Sequence, residues 1–263
     1  MKHNHFLNLD AYKRPTYTMA VRITLKASEV AAIIGSNPYK PSREVFDELW
    51  KKHRPETFTG QTRSDRAALA MQGSATAQAA LVEAESGPGS AEERAAIAVS
   101  RICSDPALSE ADREAAISHV RSTVYTTFGT QNEGRTAAAI EAAGATLALD
   151  DKFYDMVVHE AGGCRYVVVG RVDRIETTPD GPRLVEIKNR VNRLFHRVVN
   201  YENIQVQVYL QMLGLTKARL VEQYNSQIES HEIERDDALW VDEIMPKLQS
   251  FCAELDLVLC TTE

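Results

Sequence analysis

The chain has 263 residues, 44% of them hydrophobic and 25% charged, with a formal net charge of −7. That is enough apolar content for a full core and argues against wholesale disorder, so one globular domain spanning 1–263 with an elaboration is the expectation. No apolar run approaches the roughly 20 residues of a membrane-spanning helix, and the opening MKHNHFLNLDAYKRP lacks the apolar stretch of a secretory signal; the chain reads as soluble and intracellular, with no membrane partner.

After an irregular start, in which His3 and His5 read as solvated rather than ligating, Ala27 to Ile34 predicts a short helix closed by Gly35. NPYKPS then turns the chain into a second helix, Arg43 to Lys52, with Ser42 as its N-cap. Residues 60–127 form an Ala-, Glu- and Arg-rich insertion, helical from about Ser64, whose breaks at Gly87-Pro88-Gly89 and Asp105-Pro106 divide it into two or three helices. A further helix, Gln131 to Ala143, carries Glu133 and stops at Gly144. ATLALDDKFYDMVVHE, CRYVVVGRVDRIET and PRLVEIKNR are three β-rich runs separated by turn residues, and read as a meander. A helix from Tyr201 to Leu213 ends at Gly214, KARLVEQYN and HEIER are two more strands, and Ala238 to Leu259 closes the chain as an amphipathic helix. This order predicts an α/β fold: a mixed β-sheet flanked by helices, with the helical insertion to one side.

Cys103, Cys164, Cys252 and Cys260 contain no CxxC pair, which argues against a zinc ribbon and against a compact disulfide framework. Only Cys252 and Cys260 lie close together, which falls short of the tight group an iron–sulfur cluster needs. The negative net charge counts against a polyanionic ligand, but Arg183, Lys188, Arg190, Arg193 and Arg197 face the single acid Glu186 within one short stretch. An acidic protein with one basic groove fits that distribution.

Asp173 follows the apolar run Val167 to Val169, and Glu186 and Lys188 lie on the next predicted strand. Side chains two apart on a strand share a face, so Glu186 and Lys188 point together while Ile187 turns to the core. If the two strands pair, Asp173 meets Glu186. Two carboxylates beside an amine suit a hard divalent cation, which takes oxygen ligands and keeps positions for water and phosphate. The same three residues also fit an ordinary surface ion-pair ladder.

Four blocks decide between these readings, because together they resemble the phage lambda exonuclease and YqaJ-type viral recombinase family of PD-(D/E)xK nucleases. They are KASEVAAIIGSNPYKPSREVFDELW; FGTQNEGRTAAAIEA, with Gly129 four residues before Glu133; GRVDRIE with LVEIKNR; and YENIQVQVYLQMLGL. The resemblance implies a restriction-endonuclease-like core with Asp173, Glu186, Lys188, Glu133 and Gln205 as catalytic residues. It places the metal at Glu133, Asp173, Glu186 and Ile187, the cofactor being Mg²⁺ or Mn²⁺ in its place. It puts Ser28 at a terminal phosphate, with Arg22 near the family's phosphate-gripping arginine; the basic region around Arg190, Arg193 and Arg197, read as helical, would track the DNA backbone without reading bases. Glu133 also reads as a solvated helix acid, Gln205 as a packed polar residue and Ser28 as a plain N-cap, while Gln207 and Tyr209 read as structural. The implied activity is Mg²⁺-dependent exonuclease action on duplex DNA with a free end, 5′ to 3′, in recombination or repair. A single-strand annealing protein and a homo-oligomer are the implied partners. An internally cutting or structure-specific endonuclease is the alternative, and a non-catalytic DNA-binding relative a further one.

Overall fold

The computed structural model describes residues 20–259; His3, His5 and Cys260 lie outside them. Strand β1 (Val21–Lys26) replaces the irregular start expected there. Its alternation is short but plain, with Ile23 and Leu25 buried between exposed Arg22 and Lys26. A 3₁₀ turn, Ala27–Glu29, leads into helix α1 (Val30–Ile33). Ser42 is not the cap expected of it: helix α2 (Ser42–His53) begins at that residue, Pro41 is the N-cap, and the Ser42 hydroxyl donates to the carbonyl of Ile33 at 2.8 Å.

Helices α3 (Arg63–Gly73), α4 (Ala75–Ser86), α5 (Ala91–Cys103) and α6 (Glu110–Ala142) make the insertion. Each starts on a serine or threonine whose side chain accepts a first-turn amide; Thr62 with Asp65 and Ser90 with Glu93 form reciprocal capping boxes. Alanines such as Ala77, Ala80, Ala95 and Ala98 let the helices approach closely, and Ile102, Val120 and Val124 fill the space between. The break expected between Thr127 and Gln131 does not exist. α6 runs 33 residues without interruption, about 50 Å at 1.5 Å per residue. Its first half packs in the helical lobe through Ala116, Val120 and Val124, and its second half lies on a sheet through Ala137 and Ile140. Packing at both ends overrides the helix-weakening Gly129 and Gly134.

The three predicted β-rich runs resolve into five strands: β2 (Leu147–Leu149), β3 (Tyr154–Ala161), β4 (Cys164–Gly170), β5 (Arg174–Thr178) and β6 (Gly181–Asn189). β7 (Lys217–Tyr224) and β8 (Gln227–Glu234) follow helix α7 (Asn200–Leu213), which ends at Gly214 with φ of 67°. The strands form two sheets rather than one, in the orders β1-β4-β3 and β2-β5-β6-β7-β8. Both are mixed, since β1 runs parallel to β4 and β6 parallel to β7 while their other pairings are antiparallel. The expected meander is therefore cut at residues 171–173, where the chain crosses from one sheet to the other. The final helix is a short α8 (Asp237–Leu239), a π turn (Trp240–Ile244) and α9 (Met245–Leu259). Leu248, Phe251, Cys252 and Leu255 of α9 join Ile23, Leu25, Tyr166 and Val168 of the first sheet and Ile204 and Leu210 of α7 in the main core. The result is the α/β arrangement expected, mixed sheets flanked by helices. No helix among the described residues is long and apolar enough to cross a membrane.

Candidate active site

Asp173 sits at the crossover between the sheets, one residue before β5. Because Arg174 pairs with Val185, Asp173 falls beside Glu186, and its Oδ2 accepts the backbone N–H of Ile187 at 2.7 Å. Glu186 and Lys188 share the face of β6 that meets α7, and Ile187 turns the other way, onto Ala137 and Ile140 of α6. The crossover itself depends on Gly170. A Cβ there would lie 2.5 Å from the Tyr209 ring and 2.9 Å from Ala27, so the end of β4 seats against α7 only without a side chain.

The polar contacts form a closed ring. Lys188 Nζ donates to Glu186 Oε1 at 2.8 Å and to Gln205 Oε1 at 3.1 Å, while Gln205 Nε2 donates to the same Glu186 Oε1 at 3.0 Å. Gln205 Nε2 also reaches the Tyr209 hydroxyl at 3.4 Å. Gln205 is therefore more than a packed helix residue, and Tyr209 touches the ring sequence reading left it out of. Gln207 is structural: it donates to the carbonyl of Glu234 and accepts the amide of Asp236, both at 2.8 Å.

Burial and the neighbouring Asp173 push the Glu186 carboxyl up to about 7. Burial likewise raises Asp173, against the pull of the Ile187 amide and Lys188 and with the field of Glu133 adding to it. Glu133 is raised too, by burial first and by Glu186 among its neighbours, so the three acids share one electrostatic field. Lys188 shows the reverse balance: burial works against its ammonium, yet Glu186 holds it above the ordinary lysine value. Glu186 Oε2 is buried with no hydrogen-bond partner among the described residues. A buried carboxylate oxygen with free lone pairs, beside a second raised carboxyl, fits either a proton or a hard cation. Among the described residues no three His, Cys, Asp or Glu side chains already close on one point. Mg²⁺ needs no such cage, since it commonly takes one or two carboxylates and completes its shell with water and phosphate oxygens.

The remaining expected residues lie elsewhere. Ser28 is exposed in the 3₁₀ turn and caps no helix. Arg22 is exposed on β1 and bonded to Asp155 at 2.7 Å, four residues back from the strand end that faces Val169. Arg183 stands at the far end of β6, paired with Glu176 and Glu232 at 2.7 Å, and so drops out of the basic stretch. Arg190 corrects the backbone-tracking role expected of it: Glu202 takes two of its nitrogens at 2.6 and 2.8 Å, and buried Glu222 a third at 2.6 Å. The segment that follows is a loop rather than a helix. Glu222 pins that loop as well, accepting the amides of Phe195 and His196 at 3.2 and 3.0 Å. Arg193 and Arg197 remain exposed on it, with no ion pair among the described residues.

The α/β fold thus brings an aspartate, an ExK strand and a helix-borne glutamate into one electrostatic field where the two mixed sheets meet. The family model of the PD-(D/E)XK nuclease superfamily matches residues 66–239, and the chain belongs to that superfamily. Its members generally use divalent metal ions, and DNA is the substrate that membership implies. Among solved structures, the chain is 18% identical to an alkaline exonuclease from Laribacter hongkongensis, covering 74% of this chain and 94% of that one at a TM-score of 0.40. It is 14% identical to a phage-related exonuclease from Haemophilus somnus 129PT, covering 90% and 95% at 0.41. No curated protein matches.

Proposed function

We propose that the chain is a Mg²⁺-dependent exonuclease that degrades duplex DNA from an end, 5′ to 3′, in recombination or repair. The observation that carries the catalytic part is the buried Glu186 Oε2, without a hydrogen-bond partner among the described residues, next to Asp173 and within the field of Glu133. End dependence and polarity are supported by the resemblance of the four motif blocks to phage lambda exonuclease and YqaJ-type enzymes, which also suggests a single-strand annealing protein as partner.

Asp173 and Glu186 would hold the ion, with Glu133 completing the acidic set. When bound, the cation supplies a nucleophilic water and neutralises charge developing on the phosphate. The chain's own residues do the rest. Glu186 and Gln205 keep the Lys188 ammonium protonated and aimed along one direction, where it stabilises negative charge growing on a phosphate oxygen. The Ile187 amide fixes the rotamer of Asp173, and the Gln205 side chain is itself steadied by Tyr209.

The test uses linear and covalently closed duplex DNA, each with Mg²⁺ and with chelator. Linear DNA should be degraded only with Mg²⁺ and closed circles left intact. Asp173→Asn should abolish cleavage, and Lys188→Ala should lower turnover about 10²- to 10³-fold with DNA binding retained. Cutting of the closed circle would replace the exonuclease with an endonuclease of the same superfamily; full activity of Asp173→Asn would remove the proposed centre.

A further inference from the structure

One helical turn before Gln205, Tyr201 borders a cleft of about 880 Å³ that the cleavage chemistry leaves unused. Tyr39, from the turn after α1, forms one wall, and its ring meets Tyr201 edge-on, with centroids 5.8 Å apart and planes at 84°. Tyr39 is 71% exposed, so a large flat aromatic surface stands open to solvent. The opposite wall is the loop after β6, which contributes Phe195 and two guanidinium groups, Arg193 and Arg197, that have no ion pair among the described residues. The loop is pre-set by Glu222, which holds the amides of Phe195 and His196, and by Arg190, which lies over the Phe195 ring at 4.0 Å. The first turn of α7 opens into the cleft with no side-chain cap.

An open aromatic plane facing two free cations is a surface for a base and its phosphates together. A duplex hides its base faces everywhere but on the outer side of its end pair, so the ligand that can lay a base on Tyr39 with its own phosphates along the facing arginines is an unpaired one. We propose that this cleft binds a single-stranded nucleotide next to the cleavage centre, the base stacked on Tyr39 and the backbone held by Arg193 and Arg197. This rests on the nuclease reading only in taking the bound strand to be one the enzyme is processing. Stacking of this kind tolerates any base, because every base has a π-face, and its loss weakens binding on the order of tenfold or more.

The experiment measures anisotropy of a labelled short oligothymidylate with the full chain in chelator, so that nothing is cut. A second probe of equal length has abasic sugars throughout and so offers the same phosphates without bases. Tyr39→Ala should weaken oligothymidylate binding on the order of tenfold, Tyr39→Phe should restore it, and the abasic probe should bind weakly and equally to all three proteins. Arg193→Ala with Arg197→Ala should weaken both probes and flatten the salt dependence. Equal binding of oligothymidylate by wild type and Tyr39→Ala, or equal affinity of wild type for the two probes, overturns the proposal. Since no cleavage is read, a protein that binds as expected yet fails to cut linear duplex refutes the nuclease reading alone.

Discussion

At the scale of single residues, charge in the wrong solvent explains most of what the site does. Glu186 and Asp173 hold protons to higher pH than they would in the unfolded chain, so between about pH 4, where free carboxyls titrate, and about 7 the native state binds more protons. Native stability without metal should therefore fall as pH rises through that window, and the loss should persist above it. Asp173→Asn, which keeps an acceptor for the Ile187 amide, should flatten part of this slope and melt higher than wild type at neutral pH; thermal melts in chelator across the window check it, and parallel curves would refute it. Arg190 makes the opposite prediction from its place in the sequence. Its removal takes the arginine from Glu202 and leaves buried Glu222 with only His231 and two loop amides, so Arg190→Ala should cost about 3–5 kcal/mol in urea unfolding. An unchanged denaturation midpoint would contradict that.

At the scale of elements, α6 holds two glycines against its packing. A Cβ on Gly134 meets nothing within 4 Å, and the residue is exposed in the helix interior. Gly134→Ala should therefore stabilise by up to about 1 kcal/mol and raise the melting temperature by roughly 2–4 °C, read by calorimetry. α6 also marks where sequence reading stopped. Thr127 to Gln131 looked like a break because Gly129 and polar neighbours weaken helix propensity, and local propensity cannot register a lobe at one end and a sheet at the other. The division into two sheets was hidden for a similar reason: CRYVVVGRVDRIET reads as one run, and only the close seat of Gly170 against Tyr209 and Ala27 shows where it breaks. The ExK face was legible, since strand alternation alone puts Glu186 beside Lys188 and Ile187 in the core. Arg190 follows β6 by one residue, but its partners Glu202 and Glu222 come from α7 and β7, and no spacing announces them.

At the scale of the whole molecule, the positive surface on a −7 chain is narrower than its basic stretch suggests, because among the described residues Arg183 and Arg190 are paired with acids and Arg193 and Arg197 are not. Reversing those two charges to glutamate should weaken duplex binding and reduce the slope of log K against log salt by roughly 2, about one phosphate contact each. A slope equal to that of wild type would place the backbone elsewhere. The long helix adds a mechanical consequence. A stiff beam seated on the sheet at Ala137 and Ile140 and gripped by the lobe some 20–30 Å away carries Glu133 close to its seat. A load on the far arm would reach that carboxylate, which lies between the lobe and the seat, as a smaller displacement in the same sense, so whatever clasps the alanine-rich arm would also move Glu133.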